Sequence, residues 1–538
     1  MAPSKSTVKV VEVCKVAPAP PATSGAINPP KSLPLTFFDL PWLRFPPIQY
    51  LSFYKFQPTE NKIGCPNSDT KSFFNSDILP KLKNSLALTL RHFLPLAGTL
   101  TWPESSRKPI VDYIEGDAVS VTVAEYDAQH DLDFYRLSGT NEFVETTSFH
   151  PLLPTLAVST DRAALLALQV TLFPSCGFSI GLTMHHALLD GKTIYLFVRS
   201  WSLMCQSLVS SSQEKFFLPP EIMPFFDRSV IKDRSGRLEA IYAKQLLELD
   251  RGPNNRSLMF WELREVPSDS VRGTFQLTRA NIERLRKQLI AKSTTQQIRI
   301  STFSIACAYV WVCLVKSGEI NDKVVSLNFH VDCRSSRLEA RIPSTYFGNC
   351  FTTKAVVTET KELLEKDGLA VAVNCLAEAI KSLENDKNGV LNGAECFLFQ
   401  ILTVSFWRNT SATAGIRLYN IAWWVVKIIM SFLLSGVTFS ELYTVGCKIL
   451  RLVMFFWCTR RVEDRLYSVA GSPRFEVYTI SDFGWGRPRK VDMVSIDRSG
   501  GMSLSDTRNG DGEVEVGLVL EKHRMEAFAT LFAQGLES

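Results

Sequence analysis

The sequence predicts an α/β protein of two domains. Its 538 residues exceed what one hydrophobic core usually organises, so two domains are expected. Short apolar runs with strand periodicity and longer runs with helical periodicity both recur along the chain, as they do in sheets covered by helices. Apolar residues make up 46% and charged residues 21% of the sequence, which is the composition of a globular protein rather than a disordered one.

The first 206 residues are assigned to an N-terminal domain. Residues Val8–Val16 alternate between apolar and polar side chains, as a half-buried strand does. The Pro- and Ala-rich residues 17–34 predict a loop. Residues Ser76–Phe93 follow a helical period and end at a Leu-Pro step, which predicts a helix that stops there.

The centre of this domain is a junction between a strand and a helix. Two apolar runs, Gln169–Phe173 and Phe178–Met184, are separated by a turn sequence and predict paired buried strands. From Asp190 onward the apolar residues follow helical spacing. His186 and Asp190 therefore lie where a strand ends and a helix begins, and the ends of strands often carry functional side chains.

Residues 207–255, which mix charged residues with proline, predict a crossover linker, and residues 256–538 form the C-terminal domain. Its predicted elements are a strand from Thr274, an amphipathic helix over Ala280–Ile290, a buried helix over Ile298–Lys316, a strand over Val324–Arg334 and a strand over Arg474–Ile480. Ser301 and Thr302 are the candidate N-cap of the buried helix.

An atypical, mostly apolar block occupies residues 396–458. Within it, residues 421–439 are almost long enough to span a bilayer but contain Lys427. The block has neither a clear helical or strand periodicity nor helix-capping residues, so a translated intron or a gene-model error is favoured over a genuine membrane span. Membrane association is expected only if the block is a genuine element, and a loop insert of this kind leaves the flanking fold intact.

Charge and cysteine usage exclude several classes of protein. The net charge of +5 is small for this length, so nucleic acid is not an expected partner, although a mildly basic surface suits an anionic cofactor such as coenzyme A. The twelve Cys have no Cys-x-x-Cys or Cys/His spacing, which predicts free thiols and no metal site. The N-terminus lacks the apolar core of a signal peptide, so a cytoplasmic protein is expected.

The residue types at the junction suit general-base chemistry. Neutral imidazole titrates near working pH, so His186 can act as a general base, with the adjacent His185 as its rival. Neighbouring side chains on a strand point to opposite faces, so only one of the two can face a channel. The sequence has no Gly-x-Ser-x-Gly elbow, which favours direct attack by a substrate hydroxyl over a covalent intermediate on the enzyme.

Two motifs together resemble one known family. His186-Ala-Leu-Leu-Asp190-Gly191 in mid-chain and Asp482-Phe-Gly-Trp-Gly486 near the C-terminus resemble the plant BAHD acyl-CoA-dependent acyltransferases. Tyr346-Phe-Gly-Asn-Cys350 is similar to the subgroup that acylates flavonoid, anthocyanin and phenolic glycosides. The resemblance implies a two-domain chloramphenicol-acetyltransferase-like fold, with mixed sheets, an active-site channel between the domains, and a segment after Asp482 that crosses back to the first domain.

The resemblance also implies roles for individual residues. It selects His186 as the base. It also implies that Asp190 turns away from His186 and pairs with Arg334, a structural role that we favour over orienting the imidazole as in a catalytic triad. Asp482 has a second acid/base role or, as we favour on physical grounds, a loop-anchoring one. The residues implied to support the site are Arg334, Gly191, Gly484, Trp485 and Gly486, and those implied to contact the acyl-CoA are Arg286, Ser301 and Thr302.

The function that the resemblance implies is transfer of malonyl from malonyl-CoA to a sugar hydroxyl of a phenolic glucoside. A monomer with no permanently bound cofactor is expected, with an acyl-CoA as co-substrate and a phenolic glycoside as acceptor. One alternative is a hydroxycinnamoyl-CoA-dependent transferase of the same family. The other is a non-catalytic product disabled by the 396–458 block. The sequence alone leaves the acyl donor and the acceptor hydroxyl open.

Overall fold

The computed structural model describes most of the chain outside the 396–458 block. The described residues are 7–20, 29–56, 67–127, 132–140, 142–210, 218–233, 236–248, 254–261, 266–292, 300–318, 323–334, 338, 341–385, 391, 466–510 and 512–537. The predicted insert and its candidate span therefore lie outside the described residues. None of the helices in the described part of the chain is both long and apolar enough to cross a bilayer.

A mixed sheet of six strands forms the first half of the fold. Its strands, in chain order, are β1 (Thr7–Val16), β3 (Ile48–Lys55), β6 (Val119–Asp127), β9 (Leu166–Phe173), β10 (Gly177–Met184) and β15 (Lys490–Met493). Their order in the sheet is β1-β6-β9-β10-β3-β15, and all neighbours are antiparallel except β6 and β9. Every residue of β9 and β10 is buried, as expected of continuous apolar strands covered on both faces.

A second mixed sheet has seven strands in the order β13-β12-β14-β16-β17-β11-β7. Its strands are β7 (Val144–Glu145), β11 (Ser270–Leu277), β12 (Val324–Asp332), β13 (Phe351–Glu359), β14 (Leu466–Gly471), β16 (Met502–Ser505) and β17 (Val514–Glu521). Strand β14 is parallel to both β12 and β16. A small antiparallel sheet, β2-β5-β4-β8, is made of β2 (Ser32–Pro34), β4 (Thr99–Thr101), β5 (Ile110–Asp112) and β8 (Arg162–Ala164).

Twelve α-helices lie within the described residues. They are α1 (Asn67–Phe73), α2 (Leu79–Leu90), α3 (Leu132–Leu137), α4 (Gly191–Val209), α5 (Leu238–Glu248), α6 (Arg279–Lys292), α7 (Thr302–Lys316), α8 (Thr360–Leu364), α9 (Gly368–Asn385), α10 (Val477–Ile480), α11 (Ile496–Ser499) and α12 (Lys522–Glu537). The predicted helices of both domains are present as α2, α4, α6 and α7. Helix α7 is buried on every side from Ser304 to Val315, which is where a helix without a polar face belongs.

Two strands cross the predicted boundary between the domains. Strand β7, from the first 206 residues, pairs with β11 in the second sheet. Strand β15, from beyond Asp482, pairs with β3 in the first sheet, so the predicted return of that segment to the first domain is confirmed. Residues 207–255 include helix α5 and not only extended chain.

The strand predicted over Arg474–Ile480 is wrong. A short 3₁₀ turn covers Pro473–Phe475, and helix α10 follows it after Glu476, whose φ is +47°. Side chains take the backbone donors that a strand would need: Ser472 Oγ accepts from Arg474 N at 3.3 Å, and Asp506 Oδ1 accepts from Val477 N at 2.7 Å. Local side-chain bonds of this kind compete with a strand ladder.

Candidate active site

The two histidines at the end of β10 have different surroundings. Strand β10 ends at Met184 and α4 begins at Gly191, so His185 and His186 lie in the turn between them. His185 is fully buried, its Nδ1 accepts from Ala187 N at 3.2 Å, and its ring packs on Phe260. His186 is only partly buried. Of the two rings, therefore, that of His186 is the one that a substrate can reach.

Aromatic rings from several segments surround His186. Trp42 stacks on its ring at 4.2 Å between centroids, Phe45 contacts it edge-on at 5.8 Å, and Phe351 lies at 6.1 Å. The exposed His330 of β12 packs edge-on against Trp42 and Phe351. These rings make an apolar wall around the imidazole, and His330 packs against that wall.

Burial keeps both histidines neutral at physiological pH. Loss of solvent lowers the pKa of His186 to about 4, and it lowers the pKa of His185 to about 3. A neutral imidazole carries a free lone pair on one ring nitrogen and can accept a proton there. His186 is therefore in the protonation state that a general base requires, and it is accessible.

Asp190 is turned toward the second sheet. Its Oδ1 caps helix α4 by accepting from Thr193 N at 2.8 Å, and both of its oxygens pair with Arg334, at 2.8 and 3.0 Å. Its Oδ2 also accepts from Cys350 N at 3.1 Å. Burial raises the pKa of Asp190, but the Arg334 guanidinium and these hydrogen bonds outweigh burial and leave it lowered. Among the described residues no hydrogen bond joins Asp190 to the His186 ring, so its contacts fit the structural role.

Gly191 and Arg334 both shape the turn around Asp190. A Cβ on Gly191 would lie 2.6 Å from the Phe475 ring, so only glycine allows that ring to pack against the start of α4. The Nη2 atom of Arg334 also donates to the Gly348 carbonyl at 2.7 Å. The guanidinium thus holds the Tyr346–Cys350 loop against α4.

Asp482 does not lie near His186. Its Oδ1 accepts from Gly484 N at 2.9 Å and from Gly486 N at 3.1 Å, and its carbonyl accepts from Gln206. Gln206 is sixteen residues along α4 from Asp190, which corresponds to about 24 Å of helix. These contacts place Asp482 in the turn of its own motif, at the other end of α4 from Asp190, as the favoured loop-anchoring role requires.

The residues around Asp482 anchor its loop to the first half of the fold. Gly484 and Gly486 have φ of +103° and +97°, values that favour glycine. The Phe483 ring packs edge-on against Trp201 at 4.5 Å, and Trp485 packs edge-on against Phe178 at 6.2 Å. This loop closes over the end of β10 that is opposite to His186.

The predicted acyl-CoA contacts lie together in the second half. Ser301 caps α7 by accepting from Ser304 N at 3.0 Å. Arg286 on α6 reaches Thr302 Oγ1 at 3.4 Å and pairs with Glu283. The arrangement puts a guanidinium beside a helix N-terminus, and both groups attract phosphate. No cluster of potential metal ligands occurs among the described residues.

Two further residues at the site were missed by the sequence analysis. Asp39 is fully buried, and its Oδ1 accepts from the backbone N and the Nδ2 of Asn349 at 2.9 and 3.1 Å. Asn349 Nδ2 also donates to the carbonyl of His186 at 2.9 Å. Both lie in conspicuous stretches, Leu35–Leu43 and Tyr346–Cys350, but nothing in the sequence indicates that these stretches meet.

Comparisons with known proteins agree with the fold and the motifs. A family model described as "Transferase family" matches residues 29–430 and 443–534, and the gap between these ranges falls inside the predicted insert. The chain is 35% identical over 539 residues to phenolic glucoside malonyltransferase 2 of Arabidopsis thaliana, covering 99% of this chain and 100% of the relative. It is 32% identical over 547 residues to the malonyl-coenzyme A:anthocyanin 3-O-glucoside-6''-O-malonyltransferase of Dahlia pinnata, covering 98% and 97%.

Solved structures share the fold at low sequence identity. Vinorine synthase matches with a TM-score of 0.56 and 18% identity, covering 97% of this chain and 96% of that one. TRI101 of F. sporotrichioides, complexed with coenzyme A and T-2, matches with a TM-score of 0.56 and 14% identity, covering 93% and 97%. The predicted chloramphenicol-acetyltransferase-like fold is thereby confirmed.

Fold, motifs and family match together define an acyltransferase. The chain belongs to the BAHD family of acyl-CoA-dependent acyltransferases.

The Asp190–Arg334 pair generates a prediction about stability. Removing one partner of a buried ion pair leaves an uncompensated charge, at a cost of about 3–5 kcal/mol. We expect Asp190→Ala and Arg334→Met each to lower the free energy of unfolding by that amount in urea titrations. The double variant should cost less than the sum of the single ones.

The control for this prediction is an exposed ion pair. Lys71 and Glu125 are 52% and 28% exposed, so Lys71→Met should cost less than about 1 kcal/mol. Equal stability of Asp190→Ala and the parent protein would contradict a structural role for Asp190.

Proposed function

We propose that the enzyme transfers an acyl group from acyl-CoA to a hydroxyl of a glycoside, with His186 as the general base. In this reaction His186 Nε2 takes the proton of the acceptor hydroxyl as its oxygen attacks the thioester carbonyl. The tetrahedral intermediate then expels the coenzyme A thiolate, and the proton passes from His186 to this leaving group. The observation that carries the proposal is the accessible, neutral imidazole of His186 at the centre of a ring of aromatic side chains.

The acceptor that we propose is a phenolic glucoside. Phe45, which is only partly buried beside His186, offers an apolar ring against which a phenolic ring can pack. The matched relatives include malonyltransferases of phenolic glucosides and of anthocyanins. These relatives also support malonyl-CoA as the donor, with its phosphates near Arg286 and the start of α7.

A donor and acceptor panel tests the substrate classes. We expect product from malonyl-CoA and a flavonoid glucoside, detected by mass spectrometry as one added malonyl group. The aglycone serves as the control, because it lacks the sugar hydroxyl and should give no product. If the enzyme prefers hydroxycinnamoyl-CoA, that compound replaces malonyl-CoA as the proposed donor. If no acyl-CoA gives a product, the proposed function is rejected.

Substitution of His186 tests its role. We expect His186→Ala to lower kcat by about 10²- to 10⁴-fold, because the acceptor hydroxyl loses its base. The neighbouring His185→Gln is the matched control. Because His185 is buried away from the opening, this change should affect thermal stability more than kcat. The reverse pattern in steady-state kinetics would transfer the role to His185.

The pH dependence of kcat/KM gives a second test of His186. Because its pKa is lowered to about 4, the ring stays neutral as the pH falls from 8 to 5, and kcat/KM should stay nearly constant. A base with an ordinary pKa near 6.5 would lose about 30-fold in rate by pH 5. In the unfolded chain the histidines bind protons below about pH 6.5, so stability falls in that range. Circular dichroism at each pH separates unfolding from protonation.

A further inference from the structure

Two buried polar atoms at the site lack partners among the described residues. One is Nδ1 of His186, and the other is Oδ1 of Asn349. An unpaired buried polar atom is destabilising, so such atoms are rare in folded proteins. Here one atom belongs to the imidazole proposed as the base, and the other to the side chain bonded to the carbonyl of the same histidine.

The orientation of the Asn349 amide is fixed by its other bonds. Its Nδ2 donates both to Asp39 Oδ1 and to the carbonyl of His186, and neither of these oxygens can donate in return. The nitrogen of the amide must therefore face them, which leaves Oδ1 as an acceptor on the other side. Burial is the main cause that lowers the pKa of His186; a hydrogen bond to the residue's own backbone opposes it, and the Asn349 side chain opposes it to a smaller extent.

Asp39 holds this amide in place because it is itself bonded to its own turn and to the distant Asn349. Its Oδ2 accepts from the N and the Oγ1 of Thr36, both at 2.8 Å, while its Oδ1 accepts twice from Asn349. Arg228 Nη1 lies 3.6 Å from Oδ2 and balances the charge. A fully buried carboxylate with four hydrogen bonds and a guanidinium neighbour is a rigid anchor.

We propose that Asn349, anchored by Asp39, is a positioning residue that fixes the tautomer of His186. In the reacting complex, Nδ1–H of His186 donates to Asn349 Oδ1, so the lone pair stays on Nε2 and faces the acceptor hydroxyl. Catalytic hydrogen bonds are often long or misaligned before substrate binds and shorten in the complex. This role is separate from that of Asp190, which is engaged with Arg334. The inference rests on the proposed role of His186 as the base.

The first test is Asn349→Ala. We expect kcat to fall by about 10- to 100-fold, by analogy with the loss of a residue that orients a metal-bound imidazole through its second nitrogen, while both KM values change by less than about 3-fold. Nitrogen-15 NMR of histidine-labelled enzyme, with His186 assigned by comparison with His186→Gln, reports the tautomer directly. The parent enzyme should show a protonated Nδ1, and Asn349→Ala a mixture of tautomers.

A control variant at another buried amide completes this test. Gln169 is another buried amide, and its Nε2 donates to the Pro151 carbonyl at 2.8 Å. It lies on β9, opposite Gly181 and well before His186. Gln169→Ala should lower stability without changing kcat or the tautomer.

The double variant Asp39→Asn with Asn349→Asp keeps an acceptor beside Nδ1 but moves the negative charge next to the ring. It should move the acid limb of kcat/KM to higher pH.

The outcomes separate the two proposals. If Asn349→Ala matches Gln169→Ala in kcat, or loses activity with an unchanged tautomer, the positioning role is rejected while the function of His186 stands. If His186→Ala keeps full activity, the proposed function itself fails. If Asn349→Ala does not fold, an unshifted acid limb in the double variant rejects the inference.

Discussion

The buried ion pair between Asp190 and Arg334 is the constraint on which the site depends. It joins Asp190, at the start of α4 beside the first sheet, to Arg334, two residues beyond the end of β12 in the second sheet. Both charges are almost fully buried, so neither is tolerated without the other. A pair of this kind specifies how two surfaces meet more than it adds net stability. Here it sets the turn that carries His186 opposite the loop that carries Asn349.

Much of this arrangement could be predicted from the sequence because it is local. The continuous apolar runs of β9 and β10, the helical spacing after Asp190 and the Ser301 cap each depend on a few neighbouring residues. The two motifs then indicated the family and, through it, the Asp190–Arg334 contact. Local periodicity was therefore sufficient for the elements, and the resemblance was needed for a contact between residues far apart in sequence.

The sequence could not predict the contacts that form only when the two halves of the fold pack together. Asp39 and Asn349 are 310 positions apart, and no pattern marks a buried carboxylate as the partner of a distant amide. Residues Arg474–Ile480 looked like a strand because most of them are β-branched or aromatic, but Asp506, 29 positions beyond Val477, takes a backbone donor that a strand would use. Asp482 shows the same limit: its motif indicated the family, and only the packed structure shows that its contacts lie at the other end of α4 from Asp190.

The exchange of β15 into the first sheet has a consequence for how the chain folds as it is synthesised. Strand β15 covers the outer edge of β3, so that edge has no partner until the ribosome has passed Met493. Unpaired strand edges invite pairing with other chains, and partly made domains are prone to aggregate for this reason. The first half of the protein therefore cannot complete its sheet during translation of its own residues. A chaperone that holds nascent chains would have its main task at the β3 edge, long after the residues of the N-terminal half have emerged.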